Sequence, residues 1–377
     1  MSNLYIDSTS GTKRKANLEL LADYLNYSPV GHHFLRSTRA TELGWSFFLF
    51  NFYDYPAITM TGGWNLDLHP GMTARTFYRW MDIIIARDYE HTFELRPIKI
   101  QLFDIASYGY DYEAGDPIPR DSDIILQSGV YGPFFPFNKK ESDKPEPYKG
   151  FIGTECPGML SFTQSFNTLD IHVNPETCAS KENETMMTVH IKDEVRNRDK
   201  GKCFFTGRTD LPTKLIWIIP PRLALTLFEG DRLAAYEQSD YEVADNVITI
   251  DETLVEPFNC NAFSIDFQNN NHITIFGELP DDLHAKISTL TPVAIPAHTE
   301  KFWHENFEWT LQANFLGGDI GFEHSIPTRN NLRKRLVQED GFKLPEWNIQ
   351  GTLEHEVLEV YYLHKSMWQS KAPPNDK

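Results

Sequence analysis

Residues 202–223 read KCFFTGRTDLPTKLIWIIPPRL, and the side chains in and around this stretch have types and spacing that bear on chemistry. Arg198-Asp199 precedes it, Cys203 and Thr206-Gly207 open it, and Trp217-Ile218-Ile219-Pro220 leads to its end. Asn246, Val255 and Phe258 follow downstream. An imidazole at the place of Trp217 would be a general base. Indole has no basic nitrogen, and its Nε1–H only donates. Valine coordinates nothing, so Val255 serves no cation. Asn246 keeps an amide able to orient a small polar group. This set offers hydrogen-bond donation inside an apolar wall. On that reading Trp217, Arg222 and Asn246 act on a substrate. Trp45, Phe48, Tyr53, Tyr78, Val255, Phe258 and His33 line its binding site. Each also has a plainer reading. The apolar residues can be core, Arg222 a surface cation, His32-His33 a loop pair, and Asn246 a structural amide.

Bulk composition narrows the field. A chain of 377 residues has room for two or three domains, and 41% hydrophobic with 23% charged residues fits a folded globular protein. Aromatic residues reach 13%, which supplies both core and pocket walls. The net charge of −18 opposes a polyanionic partner, so nucleic acid is disfavoured. The basic clusters Lys13-Arg14-Lys15, Arg196 to Lys202 and Arg333-Lys334-Arg335 are short and read as solvated faces. The four cysteines form no Cys-x-x-Cys pair, and no phosphate-loop, dinucleotide or Gly-x-Ser-x-Gly motif occurs. The sequence therefore calls for no metal and no cofactor. No apolar leader or membrane-length run is present, which leads to the expectation of a cytoplasmic protein and an idle sequon at Asn183. Nothing in the sequence fixes an oligomeric state.

Periodicity supplies the elements. Residues 17–27 carry Leu18, Leu21, Ala22 and Leu25 at helical spacing. Trp45 to Tyr55 is a nearly unbroken apolar run, expected as a strand buried on both faces or lining a pocket, with Gly62-Gly63 as a turn after it. Residues 73–89 predict a helix with Phe77, Trp80, Met81, Ile84 and Ile85 on one face. Strands are expected within 96–110 and 121–135, a linker at 136–150, and a polar stretch at 174–185. A helix over 188–199 leads into a short strand, Cys203-Phe204-Phe205. Strand, short helix and hairpin follow over 246–276, with Asn-rich residues 268–271 at the hairpin tip. Asp281-Asp282 reads as the start of a helix, and 352–368 as a closing helix.

The block Arg198-Asp199-Lys200-Gly201-Lys202-Cys203-Phe204-Phe205-Thr206-Gly207, then Ile216-Trp217-Ile218-Ile219-Pro220, then Asn246 to Ile250 and Leu254 to Asn259, resembles the HNH-endonuclease-like proteins of fungi. The resemblance covers residues 188–276. In that family a His stands where this chain has Trp217, a metal-binding His where it has Val255, and an Asp where it has Asn259. The resemblance therefore implies a ββα frame whose base and metal ligand are gone. It implies further a likeness to the norbornene-forming Diels–Alderases of terpenoid pathways, which need no cofactor.

The resulting expectation is an α+β fold. A strand-rich N-terminal region (1–150) carries the aromatic segment, and a polar region (151–187) connects it onward. The remainder (188–377) holds a degenerate HNH-like ββα element and a closing C-terminal helix. The expected function is a cofactor-independent cyclase or pericyclase acting on an apolar biosynthetic intermediate. The alternative is a catalytically dead pseudo-nuclease that binds nucleic acid or protein.

Overall fold

Phe47, Leu49 and Asn51 alternate with Phe48, Phe50 and Phe52, and both sets are buried. A strand apolar on both sides needs cover on both, and the fold supplies it by closing a barrel and packing helices outside. The computed structural model describes residues 37–52, 57–84, 93–104, 107–136, 145–148, 187–224, 238–277, 279, 281–288 and 294–317, with single residues 162, 164, 331, 335 and 354. Helix α1 (Thr38–Glu42) precedes strands β1 (Phe47–Asn51) and β2 (Ala57–Trp64); helix α2 (Ala74–Ile84) then leads to β3 (Glu94–Asp104), β4 (Ser107–Ala114) and β5 (Gly129–Phe134). The five strands close in the order β1-β2-β4-β3-β5, with β5 running parallel to β1 and Phe47 opposite Gly129.

Phe48, Phe50, Phe52, Ile58, Met60, Ile98, Ile100, Val130 and Phe134 form one buried cluster. Phe47, Leu49, Trp64, Leu95 and Tyr131 belong to a second, with Phe77, Trp80, Met81 and Ile84 of α2. Gly62-Gly63, expected as a turn, lies inside β2, where Gly62 pairs with Leu49 and Gly63 with Phe48. The reason is close approach. A Cβ on Gly62 would stand 2.0 Å from the Phe315 carbonyl oxygen, and one on Gly63 2.5 Å from that of Phe47.

The second half begins with α3 (Val189–Asp199) and β6 (Thr213–Trp217), followed by the single turn α4 (Pro221–Ala224). Strand β7 (Val247–Asp251) runs into α5 (Glu252–Asn259), and β8 (Phe263–Asp266) pairs with β9 (His272–Ile275). Helices α6 (Asp281–Ser288) and α7 (Glu300–Phe315) complete the described chain. Strand β6 pairs antiparallel with β7, Trp217 opposite Val247. The fold is α+β. Helix α7, which sequence periodicity did not reveal, is buried nearly all round. Phe307, Leu311 and Phe315 join the cluster that contains α2. Phe302, Trp303 and Trp309 join the cluster of the second half. The expected helices at 17–27 and 352–368 lie outside the described residues, apart from Glu354. No described helix is long and apolar enough to cross a membrane.

Candidate functional site

The stretch from α3 to α5 is built by local hydrogen bonding. Thr188 caps α3, its Oγ1 accepting from the Ile191 N–H at 3.3 Å. The helix ends at Lys200, whose φ of 51° is left-handed. Cys203-Phe204-Phe205, expected as a strand, is instead a tight turn. The Gly207 N–H donates to the Cys203 carbonyl at 2.8 Å, and Gly207 takes φ +68°, a value that only glycine adopts freely. The buried Cys203 Sγ accepts from the Asp251 N–H at 3.2 Å and from the Thr206 N–H at 3.5 Å. Arg198 donates to the Ala244 and Val247 carbonyls at 3.0 and 2.6 Å. Asp199 accepts from the Thr249 hydroxyl at 2.8 Å. The Arg-Asp pair thus fastens α3 to β7.

Trp217 is buried against Met187, Ile191, Val195, Ala244 and Val247, and its Nε1–H finds no acceptor. Asn246 is fully buried. Its Nδ2 donates to the carbonyls of Ile219 and Tyr241 at 2.7 and 2.9 Å, and its Oδ1 accepts from the Ile219 N–H at 3.0 Å. The amide is therefore committed to holding the Ile218–Pro220 corner. Val255 packs half-buried against another cluster, the one that contains Phe258. Phe258 contacts the rings of Phe205, Phe263 and Trp303. The structure brings Trp217 and Asn246 together at one corner and places Val255 and Phe258 in the other cluster. Arg222 is half-buried in α4.

The N-terminal candidates are spread apart. Phe48 belongs to the barrel cluster. Trp45 is buried, and its Nε1–H donates to the Asn314 carbonyl of α7 at 3.1 Å. The Tyr78 hydroxyl donates to the Ile118 carbonyl at 2.9 Å and accepts from the Leu95 N–H. Burial pushes that phenol up to about 12. Tyr53 and His33 lie outside the described residues.

One group missed by sequence reasoning is His69, in the turn between β2 and α2. It is half-buried, with its ring 5.4 Å from those of Trp80 and Phe276 and 6.3 Å from that of Trp64. Burial among these rings pushes its imidazole down to about 4, so it is neutral at pH 7. A neutral imidazole carries one donor and one acceptor. The buried Trp64 Nε1–H beside it has no acceptor. Trp80 Nε1 donates to the buried Asp266 carboxylate at 3.1 Å, and Arg79 grips the same carboxylate with both terminal nitrogens. These ring contacts, with the Asp266 carboxylate, join β2 and α2 to the β8–β9 hairpin and the Phe276 that follows it. The aromatic spacing within α2 was legible, but His69 sits in a His-Pro-Gly turn, and Phe276 arrives from more than two hundred residues away.

Among the described residues, no group of three or more His, Cys, Asp or Glu side chains is arranged to hold a metal ion. No family model matches the chain, and neither a curated protein nor a solved structure shows significant similarity to it.

Proposed function

We propose that this protein is a cofactor-independent cyclase of the Diels–Alderase type, acting on an apolar biosynthetic intermediate. In this reading its scaffold is an HNH-like ββα frame that has given up nuclease chemistry. The observation that carries the reading is the burial of Trp217, at the place of the base, in an apolar cluster. No water reaches a base there, and indole is none. The cluster of aromatic rings around His69 supports the rest. Aromatic walls hold a flexible apolar chain in a reactive conformer, and a neutral imidazole N–H can donate to a carbonyl. In a [4+2] cycloaddition two carbon–carbon σ bonds form, two π bonds are consumed and one shifts, so no atom leaves and no electron is exchanged with a cofactor. A donor on the dienophile carbonyl lowers the barrier without taking a proton.

The test is product chemistry on linear polyenes that carry a conjugated aldehyde and a diene. The purified chain, in EDTA, should accelerate cyclisation and give one stereoisomer. Trp64→Leu and His69→Leu should each slow the reaction at least tenfold while the far-ultraviolet dichroism is retained. Metal-dependent cleavage of plasmid DNA that co-elutes with the protein through successive columns would overturn the reading.

A further inference from the structure

A depression of about 280 Å³ lies between α3 and the β6–β7 pair, and His69 is not among its lining. Lys192, Arg196 and Lys214 line it together with Gly201, Thr213 and Thr249, and no carboxylate residue is among its lining. Three cations on one small concave surface are unexpected in a chain of net charge −18. The nearby carboxylates lie outside this lining. Asp199 is held by Arg198 and Thr249. Asp193 approaches Arg196 at 3.7 Å, and Glu252 approaches Lys214 at 3.0 Å. Both of the latter pairs sit at the solvent edge, where such bridges contribute about 0–1 kcal/mol and exchange readily for a stronger anion.

We propose that this depression is a binding site for a phosphate or diphosphate group. Lys192, Arg196 and Lys214 supply the charge, and the Thr213 hydroxyl and the open backbone at Gly201 complete a polar cradle. A Cβ on Gly201 would meet no atom within 4 Å, so the approach over this glycine is open. A doubly or triply charged oxyanion gains from each cation in a way that a carboxylate does not. The site is independent of the cyclase reading, since it shares no residue with the aromatic cluster at His69. The same phosphate chemistry has two sources, a small diphosphate-bearing molecule or a nucleic-acid backbone.

Titration calorimetry of the full chain with inorganic pyrophosphate at 50 mM NaCl tests the site. A 20-nucleotide single-stranded DNA is titrated in parallel. The double variant Lys192→Gln/Lys214→Gln should weaken pyrophosphate binding at least tenfold. Arg208→Gln, an exposed arginine paired with Asp210 beyond the depression, should leave it unchanged. Unfolding midpoints of all three proteins establish that the variants fold. Pyrophosphate bound and lost in the double variant, with DNA unbound, assigns a small diphosphate. Pyrophosphate and DNA both bound and both lost in that variant assign the same cradle to a backbone phosphate. Absence of pyrophosphate binding, or binding indifferent to the double substitution, overturns the site whatever the DNA does.

Discussion

At the scale of single residues, the amide of Asn246 and the imidazole of His69 differ in what they leave available. Asn246 spends both donors and its acceptor on backbone groups of Ile219 and Tyr241. Asn246→Ala would leave three buried backbone groups without partners, each costing about 1–3 kcal/mol. The expected outcome is a loss of about 3 kcal/mol or more in stability by urea unfolding. A variant of native stability would show that the corner is held elsewhere. His69 gives a pH signature. Its folded value near 4 lies below the ordinary 6.5, so between those values the unfolded chain binds the extra proton. Stability from this group is complete above pH 6.5 and is lost as pH falls toward 4, with each unit costing about 1.4 kcal/mol. Urea midpoints measured at pH 6.8 and 4.5 should fall further for the wild type than for His69→Gln. Equal falls would place the imidazole in water.

The element scale shows why some of this molecule was legible and some was not. Helix α2 announces itself because Phe77, Trp80, Met81 and Ile84 face inward while Arg75 and Asp82 stay in water. The β8–β9 hairpin follows from alternation on both sides of an Asn-rich tip, where Asn270 and Asn271 take the left-handed conformation. Helix α7 has no such stripe. Asn306, Thr310, Gln312 and Asn314 are buried along with its aromatic residues, so no polar face marks a period. Most of their polar groups are satisfied inside, as when Asn306 donates to the Ile218 carbonyl at 2.8 Å and Asn314 to that of Asn261 at 2.9 Å, while the Gln312 Oε1 is buried without a donor. Barrel closure was equally hidden, because β1 meets β5 across some eighty residues. Of the candidate site, the Trp217–Asn246 corner was visible as a motif. The ring cluster at His69 was not, since its members come from β2, α2 and the chain just past β9. The Gly62 contact yields a prediction at this scale. A methyl group there collides with the Phe315 backbone, which cannot yield as a flexible side chain does. Gly62→Ala should cost about 3 kcal/mol or more by forcing α7 off β2. A thermal midpoint within one degree of wild type would contradict the close approach.

Across the whole molecule, helix α7 and the Asp266 carboxylate each tie the barrel to the second half. Helix α7 places Phe307, Leu311 and Phe315 in the barrel-side cluster and Phe302, Trp303 and Trp309 in the other. The Asp266 carboxylate, buried at the foot of the β8–β9 hairpin, takes Arg79 and Trp80 from α2. A buried pair contributes little net stability against an apolar replacement, but removing one partner strands the other and costs about 3–5 kcal/mol. This coupling predicts one cooperative transition for the described body, seen alike by tryptophan fluorescence and by far-ultraviolet dichroism. Asp266→Ala should lower both midpoints together, because the indole N–H of Trp80 and the guanidinium of Arg79 lose their shared acceptor at once. Asp266→Ala combined with Arg79→Met should recover part of the loss, since no charge is then stranded at the junction. If the two probes separate in Asp266→Ala, the ion pair is the principal tie between the halves. If neither midpoint moves, α7 alone holds them.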